Sequence, residues 1–382
     1  MTRLGKTLWI ALTVALTAGC ATLPDRVPVA SDLQSKAGVP QFDNVRLHVD
    51  APVETLDRWR DEMLADRARS GIAKPLDLLA LSSGSDEGAF GAGYLVGWSE
   101  SGARPDFDIV VGVSTGALMA PFAFLGSDRD EVLTRLYTSV DADDIFRLRP
   151  VSGLLGGPAM ASSRPLREMI EREVTPALVR DIAAEHNSGR RLLVLTTNLD
   201  TQRGVIWDVG AIASNKTREA EALIEQVLLA SSSIPALLPP VLIEVSADGQ
   251  SFTEMHVDGG TTASVLAVPQ NLLFEEPGLR PEIQSGGAIT IIYNGRVDPT
   301  VKLVQPRTFS ILQRSLVTMI TAVDRRMLNT YRAFADRNEM TFSVAAIEGD
   351  FDDTAFDDRG RFNRAYMQAL FAYGRERGRS AR

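Results

Sequence analysis

The residue with the strongest claim to covalent chemistry is Ser114. It stands in Gly112-Val113-Ser114-Thr115-Gly116, directly behind the largely apolar run Phe107 to Val111 and directly ahead of the helix-forming run Ala117 to Phe122. A strand-length run, a serine between two glycines and a helical run together make the pattern of a nucleophile elbow. The serine occupies a strained strand-to-helix turn, and glycines remove side chains that would collide in it. A helix starting just behind the serine also points its N–H groups at any oxyanion formed there. With 30 glycines in the chain, such a five-residue string arises easily by chance, so its partners decide the matter.

An acyl-transfer serine needs a base and a set of oxyanion donors. Donors are on offer where the apolar run Leu76 to Leu81 ends in Ser82-Ser83-Gly84-Ser85-Asp86-Glu87-Gly88. Gly84, Ser85 and Gly88 sit between strand and helix, where backbone N–H groups converge. The same loop lacks the Gly-Lys-Ser/Thr ending of a phosphate-binding P-loop, and it does not spell the G-x-G-x-x-G of a dinucleotide site. For the base, the chain holds three histidines, His48, His186 and His256, and only His256 lies late enough for the Ser…Asp…His order of a hydrolase triad. Asp258, two residues on, shares a strand face with His256 and leads into Gly259-Gly260. Either side chain can approach Ser114.

These residues need elements to hold them. The chain of 382 residues is long enough to bury a sizeable core, and 45% hydrophobic and 23% charged residues are ordinary for a globular protein. A net charge of −9 argues against nucleic acid as a partner, since phosphate binding needs clustered cations. From Lys74 onward strand and helix patterns alternate. Strands are expected at Leu76–Leu81, Phe107–Val113, Arg191–Thr197, Val205–Val209, Val241–Val245, Phe252–Val257 and Ala288–Tyr293. Helices are expected at Ala89–Ser101, Asp128–Val140, Pro165–Arg172, Pro176–Glu185, Arg218–Ala230 and Phe309–Asp336. This alternation implies an α/β fold with a mostly parallel central sheet covered on both faces. Ahead of it, Leu56, Trp59, Met63 and Leu64 mark a helix within 53–69. Residues 21 to about 40, with Pro24, Pro28, Gly38 and Pro40 and no period, read as a tether.

The first nineteen residues look like an export signal: Arg3 and Lys6 are followed by the uncharged stretch Thr7 to Ala18, too short to span a bilayer. Cys20, the only cysteine, falls where such a signal is cut. Thr17-Ala18-Gly19-Cys20 resembles the lipobox of bacterial lipoproteins, with Leu16 one place before the family's usual leucine position. The resemblance implies a lipidated Cys20 at the mature N-terminus, with Ala21 favouring delivery to the outer membrane, on its periplasmic face. Loss of Arg3 and Lys6 takes the net charge to −11.

Leu81-Ser82-Ser83-Gly84-Ser85-Asp86-Glu87-Gly88-Ala89-Phe90, the elbow Gly112 to Gly116, and Asp258-Gly259-Gly260 resemble the patatin-like phospholipases in order and spacing. Thr196-Thr197-Asn198-Leu199-Asp200 and Ala230-Ser231-Ser232-Ser233-Ile234-Pro235 agree with that family as well. The resemblance implies a three-layer fold, with Ser114 the nucleophile, Asp258 the general base of a Ser-Asp dyad, and the loop at Gly84 and Ser85 the oxyanion hole. It implies a lipid acyl hydrolase working on membrane lipid esters through an acyl-enzyme, with no cofactor and no metal. Ser83 and Ser85 replace two of the family's usual three glycines, and Glu87 stands where Arg or Lys is common. Because free Asp titrates near ~3.9, such a dyad demands a desolvated carboxylate close to the serine hydroxyl. A Ser-His-Asp esterase of small soluble esters and a non-catalytic, lipid-binding envelope protein of the same fold are the alternatives.

The organisation expected is a signal peptide at 1–19, a tether and accessory helix at 20–74, a catalytic domain at 75–270 and a C-terminal extension at 271–382 packed on it. The extension is expected to hold a strand at 288–293 and helices at about 309–336 and 361–374. Glu348, Asp350, Asp352, Asp353, Asp357 and Asp358 suggest calcium, but an EF-hand counted from Asp350 puts Ala355 at the glycine position and Arg361 at the closing glutamate. They read as a solvated acidic turn, and Asp141, Asp143 and Asp144 as a helix-end turn. Phe362, Tyr366 and Leu370 among seven arginines form a stripe that either lies on an anionic membrane or docks on the core.

Overall fold

The computed structural model describes residues 26–149, 156–273, 287–301, 303–356 and 360–381. The export signal and Cys20 lie outside the described residues. The strands are β1 (Arg46–His48), β2 (Asp77–Leu81), β3 (Ile109–Val113), β4 (Arg147–Leu148), β5 (Ala161–Ser162), β6 (Arg191–Asn198), β7 (Arg203–Asp208), β8 (Val241–Ala247), β9 (Gln250–Asp258), β10 (Ala288–Tyr293) and β11 (Thr341–Ala346). The helices longer than four residues are α1 (Val53–Arg69), α2 (Gly88–Glu100), α3 (Thr115–Leu125), α4 (Asp130–Thr138), α5 (Arg164–Glu173), α6 (Pro176–Asn187), α7 (Val209–Ala213), α8 (Arg218–Ser231), α9 (Thr308–Arg337) and α10 (Arg364–Arg379).

Five strands in the order β6-β3-β2-β10-β11 run parallel and form the middle of the main sheet. Antiparallel strands extend it on one side: β7 and then β1 follow β6, and the β8–β9 hairpin joins β6 through β9. Central strands such as β3 and β6 are buried along their whole length, which is why their sequences read as continuous apolar runs rather than alternating ones. One face carries the larger core, filled from α2, α3, α5, α6, α8 and α10; the other carries a smaller core beneath α1 and α9. The result is a three-layer α/β fold with a mostly parallel sheet between helices.

Four strands and one connection differ from the expectation; β4 and β5 are a two-residue pair apart from the main sheet, too short to show a pattern. β1 and β11 are short or partly exposed edges, and their alternating, partly polar sequences carry little apolar signal. The expected tether is, from Arg26 on, laid against the β8–β9 hairpin. Val29 is buried with Val245, Ala247 and Phe252, Gly38 and Ser246 exchange two backbone hydrogen bonds, and Arg26 pairs with Asp200. Prolines deny this segment a period of its own, but a strand edge supplies the hydrogen bonds instead.

The C-terminal stripe docks on the core rather than presenting itself to a membrane. α10 lies along α2, and a Cβ added at Gly93 or Gly97 would collide with the carbonyls of Phe371 and Arg375. Gly374 and Gly378 in turn meet the carbonyls of Phe90 and Tyr94. Arg375 and Arg379 pair with Glu100, and Arg377 with Glu348. The acidic turn is likewise held internally: Asp350 accepts from Tyr373, Asp352 from Thr354, and Arg296 donates to the Glu348 and Phe351 carbonyls. Among the described residues no group of three or more His, Cys, Asp or Glu is arranged to hold a metal.

Candidate active site

The parallel strands all end at one edge of the sheet, and the elements that follow β2, β3 and β10 converge there. Ser114 sits between β3 and α3 with φ +57 and ψ −121, a left-handed backbone conformation that costs a non-glycine residue on the order of 1–3 kcal/mol. Its surroundings hold it in place. Its N–H donates to Ser231 Oγ at 2.9 Å, its carbonyl accepts from Ala117 N at 2.9 Å, and Ser231 Oγ is itself anchored on the Leu195 carbonyl at 2.7 Å. A Cβ on Gly112 would meet the backbone of Gly116 and Ala117, and one on Gly116 would meet the Leu81 carbonyl. Both glycines therefore let the helix fold back onto the strands.

Asp258 ends β9, which pairs antiparallel with β6 and so brings residue 258 beside Thr196. Ser114 Oγ donates to Asp258 Oδ2 at 2.6 Å, and Asp258 Oδ1 accepts from Gly260 N at 2.7 Å. The Asp258 N–H donates to the Ser233 carbonyl at 3.0 Å, so the serine-rich end of α8 fixes both members of the pair. Gly259 lies where a Cβ would strike the Leu195 carbonyl, which lets the turn sit close over β6. Ser114 and Asp258 are each 5% exposed, sheltered from bulk water but still open to a small contact. Burial pushes the Asp258 carboxyl up to about 7, against the lowering effect of the Ser114 and Gly260 hydrogen bonds.

His256 sits elsewhere. It is wholly buried, with Nδ1 2.9 Å from Thr196 Oγ1 and Nε2 3.0 Å from Glu254 Oε2, and Trp207 packs edge-on against its ring. Burial lowers its pKa despite Glu254. Both ring nitrogens are therefore engaged, neither of them by Ser114. His48 lies on β1 and His186 near the end of α6.

The loop facing the elbow is a single 3-10 turn, Ser85–Glu87, between β2 and α2. A Cβ on Gly84 would collide with the backbone and Cβ of Asn294, so only glycine permits this approach. Ser85 adopts φ +57 and tolerates it as a single left-handed residue. Gly88 plays a packing part: its N–H turns back to the Ser85 carbonyl, and its Cα lies against Thr115 and Tyr137. The Glu87 carboxylate is directed toward Gly295 at the end of β10.

Asn294 and Tyr137 escaped the sequence reading. Asn294 N donates to Ser82 Oγ at 2.7 Å, its Nδ2 to the Ser82 carbonyl at 2.8 Å, and its Oδ1 accepts from Gly91 N at 3.1 Å. It thus clamps the loop to the start of α2. Tyr137 donates to the Thr115 carbonyl at 2.8 Å and braces the first turn of α3. A position directly after a parallel strand was the one signal that could have marked Asn294. An apolar cavity of about 30 Å³ opens beside Ser85 and Thr115, walled by Leu118, Val140, Ile145, Met169 and Phe362.

No curated protein matches the chain. Among solved structures, the crystal structure of VipD from Legionella pneumophila is similar over 80% of this chain and 67% of that one, at 12% identity and a TM-score of 0.33, too slight a likeness to carry an argument. The family model of the patatin-like phospholipases matches residues 79–269. That stretch runs from within β2 to just past the Asp258 turn and contains the elbow, the loop at Gly84 and the serine-rich end of α8. Half of the chain lies inside it, including both partners of the Ser114–Asp258 hydrogen bond, and the chain belongs to the patatin-like phospholipase family.

Proposed function

We infer that the protein hydrolyses acyl esters of membrane lipids, with Ser114 as nucleophile and Asp258 as its only general base. Lipid acyl hydrolysis is the activity its family supports. The observation that carries the finer reading is the 2.6 Å hydrogen bond from Ser114 Oγ to a buried Asp258 whose carboxyl sits at about 7. A carboxylate raised that far is a competent base at neutral pH.

In the first half-reaction Ser114 Oγ attacks the ester carbonyl and its proton passes to Asp258 Oδ2. The oxyanion is met by N–H groups of the Gly84–Ser85 loop and by the N-terminal end of α3. Collapse breaks the bond to the leaving alcohol, which takes the proton from Asp258. In the second half-reaction Asp258 removes a proton from water, the hydroxide attacks the acyl carbonyl, and Ser114 recovers its proton as the fatty acid departs.

Engagement of both His256 nitrogens by Thr196 and Glu254 argues against a Ser-His-Asp triad. The protein is further proposed to be exported and anchored through a lipidated Cys20 on the periplasmic face of the outer membrane. A serine-reactive fluorophosphonate probe tests the catalytic reading. Labelling of the wild type, absent in Ser114→Ala, is expected; failure of the wild type to label under conditions where it remains folded sinks it in favour of a binding protein. For the anchor, metabolic incorporation of a labelled fatty acid is expected in the parent and lost in Cys20→Ala.

A further inference from the structure

α9 is two different helices end to end. From Asp324 onward it packs on the sheet: Leu328, Tyr331, Phe334 and Ala335 are buried, and the Tyr331 hydroxyl donates to the Val265 carbonyl at 3.3 Å. Asp324 marks the boundary, accepting from the hydroxyl of Tyr293, the last residue of β10, at 2.6 Å. α9 is the crossover between the parallel strands β10 and β11, so it runs back along β10 from the end of that strand to its beginning. Everything before Asp324 therefore stands beyond the strand ends. This is the edge that carries Ser114. Residues 308–323 span roughly 24 Å at 1.5 Å per residue.

The apolar stripe does not stop where the support stops. Leu316, Ile320, Val323, Met327, Tyr331 and Phe334 follow at i, i+4, i+7, i+11, i+15 and i+18, one face of one helix. The second half of that face lies on the sheet and the first half meets water. Leu312, Leu316, Met319, Ile320 and Val323 are between 46% and 57% exposed, and Val301 and Leu303 just before the helix are 101% and 95% exposed. An apolar face of this extent marks an interaction site. From Pro299 to Val323 the chain holds Lys302, Arg307 and Arg314 and neither Asp nor Glu, in a protein of net charge −9. Among the described residues no helix is long and apolar enough to cross a membrane.

We propose that residues 308–323 of α9 form the surface by which the protein docks on an anionic phospholipid bilayer, with the apolar stripe at the boundary of headgroups and acyl chains. An interfacial helix combines these features: an apolar stripe on one face, cations without acids, and too little overall hydrophobicity to span. A second copy meeting the same apolar stripe is the rival occupant, and the test below separates the two. The position of the helix adds a consequence that rests on the lipid-ester reading: docking brings the strand ends bearing Ser114 to the plane from which the ester is drawn.

The test uses the mature chain from residue 20 on, produced without the export signal and carrying Ser114→Ala and Cys20→Ser, which neither hydrolyses nor carries an anchor, and vesicles of phosphatidylethanolamine and phosphatidylglycerol at three to one. Leu316→Glu with Ile320→Glu is expected to lower the fraction sedimenting with vesicles about tenfold or more. Arg307→Gln with Arg314→Gln should lower it severalfold, and replacing phosphatidylglycerol by phosphatidylcholine should do the same to the parent. Leu316, Ile320 and Arg307 are exposed, and Arg314 gives up one surface hydrogen bond to the Thr300 carbonyl, so thermal melts should be little changed. Equal sedimentation of parent and glutamate variant overturns the proposal. So does a parent that is a dimer by sedimentation equilibrium and becomes a monomer in the glutamate variant. With Ser114 restored, both forms should hydrolyse a soluble nitrophenyl ester within twofold of each other. If neither does, the catalytic reading fails while the vesicle result still decides the docking.

Discussion

At the scale of single residues, the site is a carboxylate placed where water is scarce. Asp258 carries out its proposed role only when deprotonated, and burial sets its carboxyl at about 7. kcat/KM for an uncharged ester is therefore expected to rise with pH to a plateau, with a midpoint near 7, in a stopped pH profile. Asp258→Asn should remove activity by a factor of a hundred or more, while His256→Ala, provided it folds, should retain much of it; the reverse pattern would refute the dyad. The same pKa has a stability consequence. A carboxyl held above its unfolded value contributes stability that is complete below about 4 and is lost as pH rises toward about 7. Asp258→Asn escapes that loss. Its melting temperature relative to wild type should climb between about pH 4 and 7 and level off above, the free-energy difference reaching at most about 4 kcal/mol. Asn294 acts at one remove. Asn294→Ala removes the side-chain bonds to the Ser82 carbonyl and from the Gly91 N–H that hold the Gly84 loop, and a fall in kcat of about tenfold with KM little changed is the expected signature of misplaced oxyanion donors.

At the scale of elements, close backbone approach does what side-chain packing does elsewhere. α2 and α10 interlock through Gly93, Gly97, Gly374 and Gly378, each lying against a carbonyl of the other helix. Gly97→Val has no room against the Arg375 backbone and must push the helices apart. A loss of about 2–4 kcal/mol in urea unfolding is expected, with the slope of the transition unchanged. The elbow and the Gly84 loop follow the same rule at shorter range, with Gly84, Gly116 and Gly259 letting backbone lie directly against backbone. Most of these elements were legible: the strand at Ala288–Tyr293 and the long helix ending near Asp336 stand within a residue of their expected limits. β1 and β11 were not, because a partly exposed edge strand of three to six residues has no apolar run to announce it.

At the scale of the whole molecule, the N-terminal segment and the C-terminal extension are parts of one body rather than appendages. Residues 26–48 cover Val245, Ala247 and Phe252 and supply the edge strand that pairs with β7. Removing them uncovers that cluster and leaves β7 unpaired, so a lower melting temperature and a tendency to associate are expected by calorimetry and light scattering. The extension adds β10 and β11 to the sheet and seats α10 on α2.

Sequence by itself determined the alternation of strands and helices, the elbow around Ser114, the Asp-Gly-Gly turn and the loop that faces it, because each depends on local spacing and on glycines whose need is local. Strand geometry alone left both His256 and Asp258 able to approach Ser114, since two residues on one strand face share a direction, and only the family resemblance favoured Asp258. Tertiary structure decided between them: β6 presents Thr196 to His256, Glu254 takes its other nitrogen, and the turn carries Asp258 on to Ser114. The same holds for the two amphipathic helices of the extension. Their stripes look alike in sequence, yet α10 finds the glycine groove of α2 while the first half of α9 runs past the end of the sheet. A stripe records that a face is apolar, and only the fold records whether anything stands opposite it.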